Sequence, residues 1–431
     1  MSASLYLKRA LLAGAASSVL IAGPAMSQEL VVWHDLGDNG IAWFQELSDL
    51  YAAENPGVTI TSVSFPTDQW FARTIAAINT DTAPDLIYNN YERVIRIENQ
   101  TDRVSDLSDI LAAQGELPFL TETDIGVSQY EGKTIILPIQ RVQMGFGVRE
   151  SWLEAVGEEF PQTWDDVLRV SEAFQAQDPD GNGQDDTYGL ALQAANPRDL
   201  IHMLDLYTFG AGLRHTLIDP DGNIVIDETA HKAVLTEFLK TFTDYALVSP
   251  DTVNHSFGDM YQLIEGGRAG MFRVGDWNVN KWDGADVLDG DFVIGEWPSH
   301  DTGTENAVVI GGMRGVAVPE NSPNREIAED FAAFMLTADA QSAALRNVGS
   351  SVRGDFPIEG LSERRMVFAQ PSHNLNAYDF PESVHSFYPE LEAEYHRVLL
   401  AALVNPPSDW SAFIDQTAED MRTLAAELSG Q

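Results

Sequence analysis

The chain predicts an α/β protein of at least two lobes, and two observations carry that expectation. Its 431 residues exceed the roughly 250–300 at which a single hydrophobic core stops growing. From residue 30 onward, short apolar runs alternate with amphipathic stretches of helical period, the pattern of a parallel, doubly wound sheet. Hydrophobic residues make up 44% of the chain, enough for packed cores and too many for disorder.

Residues 1–27 read as a separate unit. Lys8 and Arg9 precede an apolar run from Ala10 to Ile21, Gly23 and Pro24 break it, and Ala25-Met26-Ser27 offers small residues at both recognition positions. This is the pattern of a secretory signal peptide cleaved before Gln28, and the run is short for a membrane span. The chain has no cysteine, so a lipid anchor behind the signal peptide is not expected. Export without lipid or disulfides points to the periplasm of a Gram-negative cell. Acidic residues outnumber basic ones 66 to 25, a formal charge of −41, and loss of Lys8 and Arg9 makes it more negative. Such a surface repels nucleic acid and anionic membranes. The acids are spread along the chain, which favours a solvated acidic surface over a polycation site.

The elements follow in order. Leu30 to Trp33 is a strand, and the turn-forming segment from His34 to Gly40 follows it. A helix then carries Ile41, Phe44, Leu47, Leu50 and Tyr51 on one stripe and ends near Asn55-Pro56-Gly57. Val58 to Phe65 alternates as a strand, a helix covers about Trp70 to Asn79, and Ala83-Pro84-Asp85 leads into the strand Leu86 to Tyr88. Thr134 to Pro138 and Gln140 to Val148 read as two strands, and Glu150 to Gln175 as helix. Thr229 to Tyr245 is a helix with Val234, Leu235, Phe238, Leu239, Phe242 and Tyr245 on one face. Two further helices, Leu391 to Val404 and Phe413 to Leu428, are separated by Asn405-Pro406-Pro407.

Tryptophans beside short polar side chains carry the clearest chemistry: Trp33 near Asp35, and Trp277 between Asp276 and Asn278, with Trp70 a further candidate. A sugar ring presents an apolar face and a rim of hydroxyls, so an indole can cover the face while Asp, Asn or Arg bonds the rim. Core packing is the alternative for each indole. Asn89, Tyr91 and Glu92 follow a strand, in a segment that reads equally as an Asn-rich turn. Arg141, Arg314 and Arg353 are candidates to bond vicinal hydroxyls or to pair with a carboxylate or phosphate, with internal salt bridges as the alternative. Gly312 permits close backbone approach to a ligand or supports a hinge.

Asp178, Asp180, Asn182, Gln184 and Asp186 place oxygens at alternate positions around Gly181 and Gly183, a spacing suited to a structural Ca²⁺ ion. The twelfth position of that loop is Gly189 instead of a bidentate Glu, so a solvent-exposed turn is the competing reading. No other cofactor is required. GxSxG, Walker and HExxH signatures are absent, and the histidines are scattered.

Three segments, EGGRAGMFRVGDWN (265–278), DFVIGEWP (291–298) and GGMRGVAVPENSPNREIAEDFAAFM (311–335), together with the opening strand, AENPGV and TAPD, resemble the carbohydrate-binding class of ABC-transporter solute-binding proteins. This is extracellular solute-binding family 1, which includes the maltose- and glycerol-phosphate-binding proteins. The resemblance runs in order over nearly all of the chain after the signal peptide. It implies a two-lobed periplasmic binding protein fold with an interlobe ligand cleft. One lobe would hold residues 28–138 plus 312–345, the other 139–311 plus 346–431, with hinge crossings near 138 and 312. The implied function is capture of a sugar or oligosaccharide and delivery to the transmembrane subunits of an ABC permease, by a monomer that catalyses nothing.

Within the resemblance, Trp277 falls where relatives place a stacking Trp, and Asn89, Tyr91, Glu92 and Arg141 fall where relatives contact sugar. In relatives that bind calcium at the acidic loop, the ion is structural and remote from the cleft. The chain departs from the family at Arg314, where many relatives have a small or apolar residue, and at GSSVRGD, where relatives often have Gly-x-x-Pro. Both bear on specificity. An acidic sugar or glycerol phosphodiester held by Arg141, Arg314 or Arg353 is the alternative ligand. A secreted glycoside-processing enzyme is a third reading, which requires two carboxyls about 5–10 Å apart across a cleft.

Overall fold

The computed structural model describes residues 28–113, 117–245, 247–284, 287–300, 307–356, 358, 360–369, 375–377 and 385–430. The expected signal peptide lies outside the described residues. The strands are β1 (Gln28–His34), β2 (Val58–Ser64), β3 (Leu86–Asn90), β4 (Gln129–Tyr130), β5 (Lys133–Thr134), β6 (Leu137–Val148), β7 (Tyr188–Leu190), β8 (Ala269–Gly275), β9 (Val293–Gly295), β10 (Val308–Ala317) and β11 (Leu375–Ala377).

β1 pairs in parallel with β2 and β3, with helices Gly37–Glu54 and Thr67–Asn79 as crossovers. This is the unit that the alternation predicts. Beyond β3 the sheet changes character: β3–β10, β10–β6 and β6–β8 are all antiparallel, and β7 joins β8 in parallel. The result is one mixed sheet in the order β2-β1-β3-β10-β6-β8-β7, with β9 and β11 paired to β6 and β10.

Two hydrophobic clusters flank the middle of that sheet. One contains Leu30, Trp43, Trp70, Tyr88, Ile95, Phe331 and Val352. The other contains Phe146, Trp152, Tyr207, Phe238, Trp282, Leu399 and Ile414. On β6, Ile139 belongs to the first and Val142 to the second; on β10, Met313 belongs to the first and Val309 to the second. Two adjacent strands therefore carry the chain between the lobes. Each buries apolar side chains in two separate cores.

The expected strands Thr134–Pro138 and Gln140–Val148 are divided differently. Thr134 closes the small β4–β5 hairpin, and Leu137–Val148 is one continuous strand. Pro138 lacks an N–H for the ladder, and the register shifts where it pairs with Gly315. The expected helix Glu150–Gln175 is two helices, Glu150–Val156 and Trp164–Ala176. Gly157 ends the first at φ +73°, a left-handed conformation that suits glycine, and Thr163 starts the second with a capping box to Asp166.

Candidate functional site

The ends of β1, β3 and β10 bring a buried charge network together. Asp35 follows β1, and its side chain is 0% exposed. Arg93 Nη1 lies 2.9 Å from its Oδ2 and Arg314 Nη1 lies 3.0 Å from its Oδ1. The sheet register sets this up, since Arg314 pairs with Asn90 on one side and Gln140 on the other. Burial pushes the Asp35 carboxyl up, but Arg314 and then Arg93 outweigh it and hold it below the ordinary carboxylate value. Asn89 lies beside the same carboxylate, its Oδ1 accepting from the Asn90 N–H at 2.8 Å, and Asn90 Nδ2 donates to Glu92 Oε1 at 3.0 Å. Burial lowers the neighbouring His34 to about 4, so its ring is neutral at pH 7 and its Nδ1 accepts from the Leu36 N–H.

A second polar group reaches the network from the other lobe. Asp276, the first residue of helix Asp276–Trp282, accepts the Gln143 backbone N–H of β6 at 2.9 Å. Burial raises its carboxyl to about 7. Helix Ala338–Val348 ends at Gly349, with φ +97°, where a Cβ would stand 2.5 Å from the Asp276 carbonyl oxygen. No side chain fits between these elements. Trp277 is partly buried against the carboxy-lobe cluster, its indole lying over Gly275. It therefore keeps an accessible surface beside the junction of the two cores. Gly312 lies buried on β10 opposite Val142, next to a register shift.

The structure thus collects Asp35, Asn89, Glu92, Gly312 and Arg314 at one junction with Trp277 adjoining. Trp33 stays half-buried, edge-on to Phe65 at 4.9 Å. Other expected contacts are corrected. Trp70 is 0% exposed within the amino-lobe core, because it faces inward on its helix. Tyr91 is likewise buried: β3 runs directly into helix Tyr91–Thr101 with no loop between them, which turns its ring into the core.

Arg141 and Arg353 are structural ties. Arg141 Nε donates to Asp124 at 2.9 Å and its guanidinium also bonds the carbonyls of Phe119 and Val352. Arg353 pairs with Asp355 at 2.7 Å and covers the Phe119 ring at 4.3 Å. Their charges are neutralised by these carboxylates, which sequence spacing does not reveal.

The Asp178–Asp186 loop is closed by hydrogen bonds of its own, and Asp178 Oδ1 is left buried without a partner among the described residues. Its carboxylates accept from the loop's own donors: Asp178 from the Gly183 N–H at 2.9 Å, and Asp180 and Asp186 from Asn182 Nδ2 at 2.7 and 3.1 Å. Among the described residues no group of three or more His, Cys, Asp or Glu is placed to hold a metal ion.

Residues outside the expected set matter as much. Arg93, Asp276 and Gln143 complete the junction; Asp276 carried a signal in its place beside Trp277, and Arg93 in the polar segment that begins at Asn89. Two surface cavities, of about 660 Å³ beside Tyr51 and Asp330 and about 570 Å³ beside Trp164 and Tyr245, include none of the junction residues.

A model of the bacterial extracellular solute-binding proteins matches residues 37–342. The chain belongs to that family. Over 131 residues it is 31% identical to lipoprotein LipO of Bacillus subtilis, covering 29% of this chain and 25% of the relative. Over 253 residues it is 24% identical to the fructooligosaccharide ABC transporter substrate-binding protein FusA of Streptococcus pneumoniae, covering 55% of this chain and 44% of that one. The match therefore spans less than half the length of these relatives. Maltose-bound MalE3 of T. maritima matches with a TM-score of 0.73 at 16% identity, over 92% of this chain and 99% of that chain. At that identity the likeness establishes the fold alone, an architecture of two lobes.

Proposed function

We propose that this solute-binding protein is the carbohydrate receptor of an ABC importer. In this reading it captures a sugar or oligosaccharide at the junction of its lobes and presents it to the membrane permease, with no catalytic step. The carrying observation is the juncture itself: within a solute-binding fold, a partly exposed Trp277 adjoins a buried polar network drawn from both lobes. The indole supplies the apolar platform, and Asp35, Asn89 and Arg314 supply hydroxyl-bonding groups. Ligand contacts to both lobes would favour a closed form through differential affinity. The alternative of an acidic ligand held by Arg141, Arg314 or Arg353 loses its support, because carboxylates of the protein already pair with all three.

The reading includes export through the residue 1–27 signal peptide to the periplasm, as an unanchored monomer. Among the described residues no helix is long and apolar enough to cross a membrane. Intact mass of the exported protein checks cleavage before Gln28.

Thermal shift and tryptophan fluorescence against mono-, di- and oligosaccharides test the ligand class. Binding is expected to raise Tm and change the emission, and Trp277→Ala to weaken affinity at least about tenfold, equivalent to 1.4 kcal/mol. Flat signals across neutral and acidic carbohydrates alike would sink the proposal.

A further inference from the structure

Arg273 stands apart from every other buried cation described above. It lies near the end of β8, a strand otherwise made of Ala, Gly, Met, Phe and Val, and is 1% exposed. Arg93, Arg141, Arg149 and Arg314 each meet a carboxylate. Arg273 forms no ion pair among the described residues, and its buried Nε and Nη2 have no hydrogen-bond partner. Shortage of acids is not the reason, since the chain carries 66 acidic residues against 25 basic ones.

Aromatic rings surround this guanidinium in place of an anion. Its carbon lies 4.7 Å from the Phe257 ring centroid, 5.8 Å from Tyr261 and 6.0 Å from Trp277. Rings stacked on a guanidinium leave its N–H edge free for an in-plane, bidentate partner, the geometry that suits a carboxylate. The location is also informative. Helix Phe257–Glu265 and β8 are joined by a short turn at Gly266-Gly267. The start of the helix therefore lies near the end of the strand, beside Trp277 and the lobe junction. Phe257 is 44% exposed there, unusual for a ring of its size.

We propose that Arg273 is the anion-recognising residue of the ligand site, holding the carboxylate of an acidic saccharide whose ring stacks on the adjoining aromatic side chains. This rests on the carbohydrate-receptor reading and narrows its substrate class to saccharides bearing a uronate. Entry displaces a covering ring, Phe257 being the exposed one. The overall negative charge of the protein disfavours anions at long range, so discrimination is local to this guanidinium.

The test is calorimetric titration of the intact exported protein with uronic acids, their oligomers and the matching neutral sugars. At least tenfold tighter binding of an acidic saccharide than of its neutral counterpart is expected. Arg273→Gln should abolish that preference, and Arg273→Lys should retain part of it. Circular dichroism and Tm of each variant monitor folding. Equal affinity of the wild-type protein for acidic and neutral partners overturns the inference whatever the variants do, while the carbohydrate reading survives. Equal weakening of both classes in a folded Arg273→Gln protein also overturns it, by assigning the arginine a structural role. Absence of binding by either class counts instead against the carbohydrate reading.

Discussion

At the scale of single residues, two carboxylates at the junction make opposite predictions. Asp35 is held charged by Arg93 and Arg314, its folded pKa lying below the ordinary 3.8. A depressed pKa contributes stability that is present above the unfolded value and is lost as pH falls through the folded one. Asp35→Asn should cost about 3 kcal/mol near neutral pH, because it leaves two mostly buried arginines without their anion. The deficit should shrink below about pH 4. Urea unfolding across pH measures it, and an unchanged midpoint at pH 7 would refute the network's role.

Asp276 runs the other way. Burial raises it to about 7, so between the unfolded value near 3.8 and 7 the folded state binds more protons than the unfolded one, and stability falls as pH rises through that window. Asp276→Asn keeps an acceptor for the Gln143 N–H and removes the titration. Its stability relative to wild type should therefore climb by a few kcal/mol from about pH 4 to pH 7. A pH-independent difference between the two proteins would count against a buried, raised carboxyl.

Residue chemistry was legible in part. Asp35, Asn89, Arg314 and Trp277 were all visible as candidates, because small polar groups and an indole at strand ends are unusual enough to notice. That Asp35 pairs with Arg314 was not, since the two are joined only by register. Arg141 and Arg353 had the same residue type as Arg314 and a different fate, decided by Asp124 and Asp355. Arg273 was passed over although a charge inside an apolar strand is itself a signal.

Among elements, the adjacent crossing strands β6 and β10 organise the molecule, and Gly349 marks where a helix of one lobe meets a helix of the other. A side chain there would strain a left-handed residue and collide with the Asp276 carbonyl. Gly349→Ala should destabilise by about 1–3 kcal/mol. Gly354→Ala, where a Cβ meets nothing within 4 Å, should stay within about 0.5 kcal/mol. Equal unfolding midpoints for the two variants would contradict the tight junction. The amino-lobe elements were readable because parallel βαβ units have a strong periodic signature. The two crossing strands were readable as strands only. An apolar run does not state which neighbour it pairs with or in which direction.

For the whole molecule, charge dominates. A formal charge of −41 implies self-repulsion that salt relieves, since the screening length falls from about 30 Å at 0.01 M to about 8 Å at 0.15 M. Stability should rise over that range, by about 1 kcal/mol or more, read as an increased urea midpoint at constant m-value. A midpoint that falls with salt would mean that attractive ion pairs outweigh the net repulsion.

The sequence by itself determined the class of the molecule: two lobes from length, α/β from periodicity, and family from the order of short motifs, all properties that follow from local pattern. Only the tertiary structure decided which charges are spent and which are available. Pairing depends on strands and helices far apart in the chain arriving at one point, and a side chain's partner, not its type, sets whether it can receive a ligand. Trp70 and Trp277 are the same residue with opposite outcomes. One faces its own lobe's core and the other faces the junction.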